Sequence, residues 1–183
     1  MKAAYAPQLD GLSLDEMHRL MNVVAPSLIR VEADEVSYNL HIILRFEIEA
    51  GLMSGAIAVA DLPAVWNAKM KEYLNIDVPS NAAGVLQDIH WSLGALGYFP
   101  TYTIGNLYAA QLWEKIRADL PDLDAGIERG EFAPILDWLR ANIHRHGKRF
   151  AGDELIERVT GKKPSAEPFM AYLNERFGSL YGV

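Results

Sequence analysis

The chain has 183 residues, 50% hydrophobic and 22% charged, enough to bury a substantial core as one domain or as one large part of a bigger one. Its formal net charge of −7 argues against a nucleic-acid binder, which needs a basic face, and the absence of cysteine excludes disulfides and thiolate metal sites. Residues 1–7 lack the apolar core of a signal peptide, so a cytoplasmic protein is expected.

In chain order, Ser13-Leu14-Asp15-Glu16 has the pattern of a capping box and predicts a short helix to about Val24. Pro26 suits a first helical turn, and helical spacing from there predicts the longest helix, over about 26–52. Asp61-Leu62-Pro63 reads as a cap with an early proline, opening a helix whose apolar face uses Val65, Trp66, Met70, Tyr73 and Leu74. A further helix is expected from Gly84. Residues 89–113 contain no Asp, Glu, Lys or Arg, but Gly94, Gly97 and Pro100 interrupt them. That stretch reads as interior or cleft wall, not as a membrane span. Helices then follow over about 102–120, 123–129, 134–146, 153–159 and 168–180. Apolar residues recur at three and four, as in Ile135, Leu136, Leu139 and Ile143, with hardly any period-two alternation, so the fold class is all-α. No internal boundary is indicated within 1–183.

Several groups carry chemistry. On a helix over 26–52, Arg30, Asp34, Ser37, Tyr38, His41 and Arg45 fall within about a third of the circumference. From periodicity alone this is a solvated face with an Arg30 to Asp34 ion pair. In Gln87-Asp88-Ile89-His90-Trp91, Gln87 shares a helical face with His90 or Trp91 while Asp88 points elsewhere. His90 reads either as a donor to a substrate carbonyl or carboxylate or as a core imidazole. Tyr98 and Tyr102 flank a glycine-rich aromatic turn, where a hydroxyl can stabilise an oxyanion or simply cap a half-buried ring. His144-Arg145-His146 cannot readily chelate one ion from alternating helical positions and reads as a basic helix C-terminus before Gly147. Glu47 and Glu49, two residues apart, are expected on the outer surface.

Ile29-Arg30-Val31-Glu32-Ala33-Asp34 and the eight residues from Gly84 to Trp91 resemble the I-R-x-x-A-D and G-x-x-Q-D-x-H-W signatures of the M32 metallocarboxypeptidases, the carboxypeptidase Taq type. Pro26-Ser27-Leu28, Tyr38-Asn39-Leu40-His41, Gln111 with its preceding Asn106-Leu107-Tyr108-Ala109-Ala110, and Ile143-His144-Arg145-His146-Gly147 are also similar to that family, in order. The resemblance implies a zincin-like helical body that removes C-terminal residues from peptides, and a homodimer. It implies that Arg30 grips the substrate's terminal carboxylate with Asp34 holding its fork, that Gln87 and His90 face the substrate, and that Tyr98 or Tyr102 serves the oxyanion. The family's metal is held by an H-E-x-x-H helix and a later Glu, and no H-E-x-x-H occurs here. The expectation is therefore a C-terminal portion that binds no metal itself, with zinc and the general base supplied from sequence preceding Met1. The alternative is a non-catalytic helical module that binds peptides or a protein partner. The partners implied are peptide C-termini and a second copy, with no nucleic acid and no membrane.

Overall fold

The computed structural model describes residues 5–183; residues 1–4, where part of the signal-peptide reading falls, lie outside it. Every regular element among the described residues is helical, as the spacing requires: α1 (Leu14–Met21), α2 (Tyr38–Ser54), α3 (Leu62–Leu74), α4 (Pro100–Asp119), α5 (Leu123–Glu128), α6 (Ala133–Asn142), α7 (Gly152–Thr160), α8 (Glu167–Leu173) and α9 (Ser179–Tyr181). The chain forms two compact units, Met1–Thr101 and Tyr102–Val183.

In the first unit α1 starts where its capping box dictates. The Glu16 amide donates to the Ser13 hydroxyl at 3.1 Å and the Ser13 amide donates to the Glu16 carboxylate at 2.7 Å. The helix predicted over 26–52 does not begin at Pro26. Its first regular piece is a single 3-10 turn at Arg30–Glu32, and α2 proper starts only at Tyr38. The cause is Asp34, whose carboxylate accepts from the Val36 and Ser37 amides at 2.9 Å each, from the Ser37 hydroxyl at 2.7 Å and from the Ala25 amide at 3.2 Å. A side chain that takes these amides offers the backbone an alternative to helix. The longest helix is therefore α4, with 20 residues. α2 ends on Gly55 at φ 75°, a left-handed position that a Cβ would strain.

Leu44 and Ile48 of α2 pack against Trp66, Met70 and Leu74 of α3, one face at four-residue spacing, and Val85 closes this core. The segment from Gly84 folds as turns, not as the expected helix. A Cβ on Gly84 would lie 2.6 Å from Val78 Cγ1 and 3.4 Å from the Trp66 ring, so the chain passes here at a distance only glycine allows. The expectation that 89–113 is shielded fails for much of the stretch. Trp91 and Phe99 turn inward, whereas Ile89, Leu93, Leu96, Tyr98 and Ile104 are exposed. The turns leave runs of side chains outward, at 92–94 and 96–98, which a hydropathy average cannot register. No helix is long and apolar enough to cross a membrane among the described residues.

The second unit has its own core of Ile116, Leu123 and Trp138, with Leu139, Ile143 and Val159 packed on it. Gln111, buried on α4, donates to the Thr160 hydroxyl at 3.0 Å and to the Lys162 and Lys163 carbonyls at 3.1 and 3.2 Å, and accepts from the Ser165 amide at 3.2 Å. It thus fastens the loop that follows α7. His144–His146 forms a 3-10 turn after α6 and ends at Gly147, whose φ is 54°.

Candidate functional site

The Asp34 cap has a consequence for Arg30. Because α2 is delayed to Tyr38, Arg30 sits in the preceding 3-10 turn, buried, and its guanidinium is directed at the Gly84 segment. Its Nε and Nη2 donate to Asp88 Oδ1 at 3.0 and 2.7 Å, and Nη1 donates to the Tyr38 hydroxyl at 3.1 Å. The expected Arg30 to Asp34 pair is not formed; the fork is held by Asp88. Asp88, expected to point away from Gln87, is the hub of the cluster. Helical geometry would separate these two neighbours, but the turn conformation presents both to the same pair of arginines.

Arg45, one turn past His41 on α2, approaches Asp88 from the other side. Its Nε donates to Oδ2 at 2.7 Å, its Nη2 lies 2.6 Å from the same oxygen, and its Nη1 donates to the His41 carbonyl at 2.7 Å. The guanidinium carbon lies 4.5 Å from the Trp66 ring centre and 5.3 Å from that of Phe99, so aromatic faces take up the surface that hydrogen bonds do not. Gln87 joins the two arginines. Its Oε1 accepts from the Arg30 amide at 3.0 Å and from Arg45 Nη2 at 2.9 Å, while its Nε2 donates to the Leu28 and Ala83 carbonyls at 3.2 and 3.0 Å. All four hydrogen-bonding positions of the amide are used.

Charges follow from this packing. Burial pushes the Asp88 carboxyl up, but hydrogen bonds from Arg30 and the charge of Arg45 outweigh it and hold the group below the usual carboxylate range. Burial also pulls Arg45 down to about 10 against the opposing pull of Asp88. For Arg30 burial is outweighed by Asp88 and Tyr38, and its value rises. His41 is fully buried; burial first, then the charge of Arg45, bring its imidazole down to about 4. Neither of its ring nitrogens has a hydrogen bond of good geometry.

His90 lies at the rim of this cluster, its Nδ1 4.0 Å from Asp88 Oδ1 and its ring 4.3 Å from that of Phe99 and 5.7 Å from that of Tyr98. Tyr98 is half exposed; Tyr102 is partly buried in the first turn of α4 and belongs to the second unit. The structure thus brings Arg30, Gln87, His90 and Tyr98 together and gives Asp34 a local capping task. Glu49, expected at the surface, is buried: Oε1 accepts from the Trp91 indole at 2.9 Å and Oε2 has no partner. Glu47 is half-buried and binds Lys69 and the Tyr73 hydroxyl. Arg45 was not singled out by motif, although a lone cation within Leu40-His41-Ile42-Ile43-Leu44-Arg45-Phe46 is a signal that an apolar stretch encloses a charge. Among the described residues no three His, Asp or Glu side chains are grouped so as to hold a metal ion.

Two guanidiniums on one carboxylate, Arg30 and Asp88 from the two signature stretches and Arg45 from α2, can be set beside known proteins. The family model described as carboxypeptidase Taq (M32) metallopeptidase matches residues 1–177. Thermostable carboxypeptidase 1 of Thermus thermophilus is 52% identical over 174 residues, 95% of this chain and 34% of the relative. Carboxypeptidase 1 of Bacillus subtilis is 47% identical over 95% of this chain and 35% of the relative. The crystal structure of M32 carboxypeptidase from Deinococcus radiodurans R1 superposes with a TM-score of 0.96 at 44% identity, covering 100% of this chain and 37% of that one. The chain spans about a third of the length of these relatives. With the model matched along nearly its whole length, the chain belongs to the M32 family of carboxypeptidase Taq metallopeptidases.

Proposed function

We propose that this chain is the substrate-side portion of a metallocarboxypeptidase catalytic domain, recognising the free C-terminal carboxylate of a peptide. The observation that supports this is the convergence of Arg30 and Arg45 on Asp88. Two cations face one anion, so the pairs leave a positive excess in a desolvated place where a further carboxylate is attracted. Arg30 supplies positive charge, Asp88 and Tyr38 hold its guanidinium, Gln87 holds its backbone amide, and Asp34 sets the turn that presents it. His90 donates to the substrate's carbonyl or carboxylate from the rim, and Tyr98 or Tyr102 offers a hydroxyl to the oxyanion.

The metal implied by the family does not fit on the described residues of this chain, which lack a ligand group. In this proposal zinc and the general base come from the part of the M32 body outside the matched stretch. The complete body is proposed to be a cytoplasmic homodimer, which light scattering can check.

The test uses a chimera in which this chain replaces the matched stretch of the Thermus thermophilus relative. Arg30→Ala is expected to lower turnover of a free peptide by about 100-fold while affecting its C-terminally amidated analogue far less, since the amide never had the full charge-assisted contact. Arg30→Lys is expected to recover only part, because an ammonium lacks the fork. Equal losses on acid and amide would assign Arg30 a scaffold role and favour the non-catalytic reading.

A further inference from the structure

α1 is a well-formed helix without a core. Its start is fixed by the reciprocal Ser13 and Glu16 bonds, yet none of its eight residues is buried. At 100° per residue, Leu14, Met17, Leu20 and Met21 fall within about a third of the circumference, with Asp15, Glu16 and Arg19 opposite. Leu14, Leu20 and Met21 are 72%, 62% and 69% exposed. Isolated helices of this length are marginal in water and depend on packing of an apolar face, which this unit does not provide.

Three occupants can be weighed. A second copy is a poor one: four side chains on two turns offer about 400 Å² of apolar surface, roughly half of what each partner of a stable dimer buries. A membrane surface is also poor, because the polar side carries acids beside its cations and lacks the basic face that anionic headgroups attract. The third has a source in the comparisons. The solved relative reproduces this whole fold and carries about two thirds of its own chain outside it.

We propose that the Leu14, Met17, Leu20 and Met21 stripe is a packing face for that remaining two thirds of the M32 body, whether joined to this chain or supplied separately. The inference rests on the family reading above but not on any role in turnover. α1 then serves as an anchor far in sequence from the Gly84 motif, completed only in the assembled enzyme.

The experiment compares the same double substitution, Leu14→Glu with Leu20→Glu, in the isolated chain and in the chimera described above. Glutamate is a good helix former, so α1 itself is preserved. The isolated chain is expected to keep its Tm to within about 2 °C, whereas the chimera is expected to lose about 10 °C. Hydrogen exchange at 14–21 is expected to be at least about tenfold slower in the unsubstituted chimera than in the isolated chain. Equal exchange in the two, or indifference of both to the substitution, overturns the proposal. Loss of Tm in the isolated chain, with its mass in light scattering halving, assigns the face to a second copy and also overturns it. A chimera that discriminates acid from amide but ignores the α1 substitutions sinks this inference alone and leaves the substrate reading standing.

Discussion

Asp88 and His41 are neighbours in one charged cluster, which favours the charged form of the first and the neutral form of the second, so both lose stability as pH falls. The Asp88 carboxyl is held below its ordinary value, so its contribution to stability is present above the usual carboxylate range and is lost as pH falls through the lowered value. His41, a base, reaches the same sign by being held neutral. Its folded value is about 4 against 6.5 in the unfolded chain, so below 6.5 the unfolded state binds more protons and stability declines as pH falls from 6.5 to 4. The shift corresponds to about 3 kcal/mol. His41→Leu is expected to flatten that slope in urea titrations at pH 7, 6 and 5, since its ring nitrogens make no good hydrogen bonds for leucine to forfeit. An unaltered slope would place the titrating group elsewhere. Arg30 and Gln87 were legible because they occupy signature positions. Helical spacing turns Asp88 away because turns occur where a helix is expected, and it puts Arg45 on a polar stripe read as solvated, whereas the guanidinium is fully buried.

Element boundaries divide along the same physical line. α4, α5 and α7 begin and end within two residues of where periodicity and punctuation put them, and α3 begins there, because Pro63, Gly161 and the four-residue apolar spacing act locally. The onset of α2 was illegible, since a carboxylate nine residues from one of its partners decides it. Gln111 presents a similar long-range case, binding residues 49 to 54 positions away. Gln111→Leu would leave the Lys162 and Lys163 carbonyls and the Ser165 amide without this partner. The expected cost is about 2–4 kcal/mol by urea denaturation, with faster amide exchange confined first to 160–165. A loss under about 0.5 kcal/mol would mean that water replaces the amide without penalty.

For the molecule as a whole, fold class and family were legible because they depend on patterns spread along the chain. Exposure was not: whether 89–113 faces water depends on what stands opposite, which spacing does not encode. Metal content belongs at this scale as well. After dialysis the isolated chain is expected to retain far less than one zinc per chain by elemental analysis, whereas the chimera is expected to hold it; tight stoichiometric zinc on the isolated chain would relocate the ligands. The arginine cluster finally sets a kinetic signature. The chain's net charge is −7, while the excess guanidinium charge at Asp88 lies buried. Under the proposed carboxylate-binding role, an anionic peptide is repelled by this chain at long range and attracted only on contact. Dissolved ions screen the distant repulsion more than the sheltered attraction. Capture of such a peptide is therefore expected to accelerate as ionic strength rises toward the physiological range, the inverse of electrostatic steering, and stopped-flow association rates measured across a salt series would read it directly.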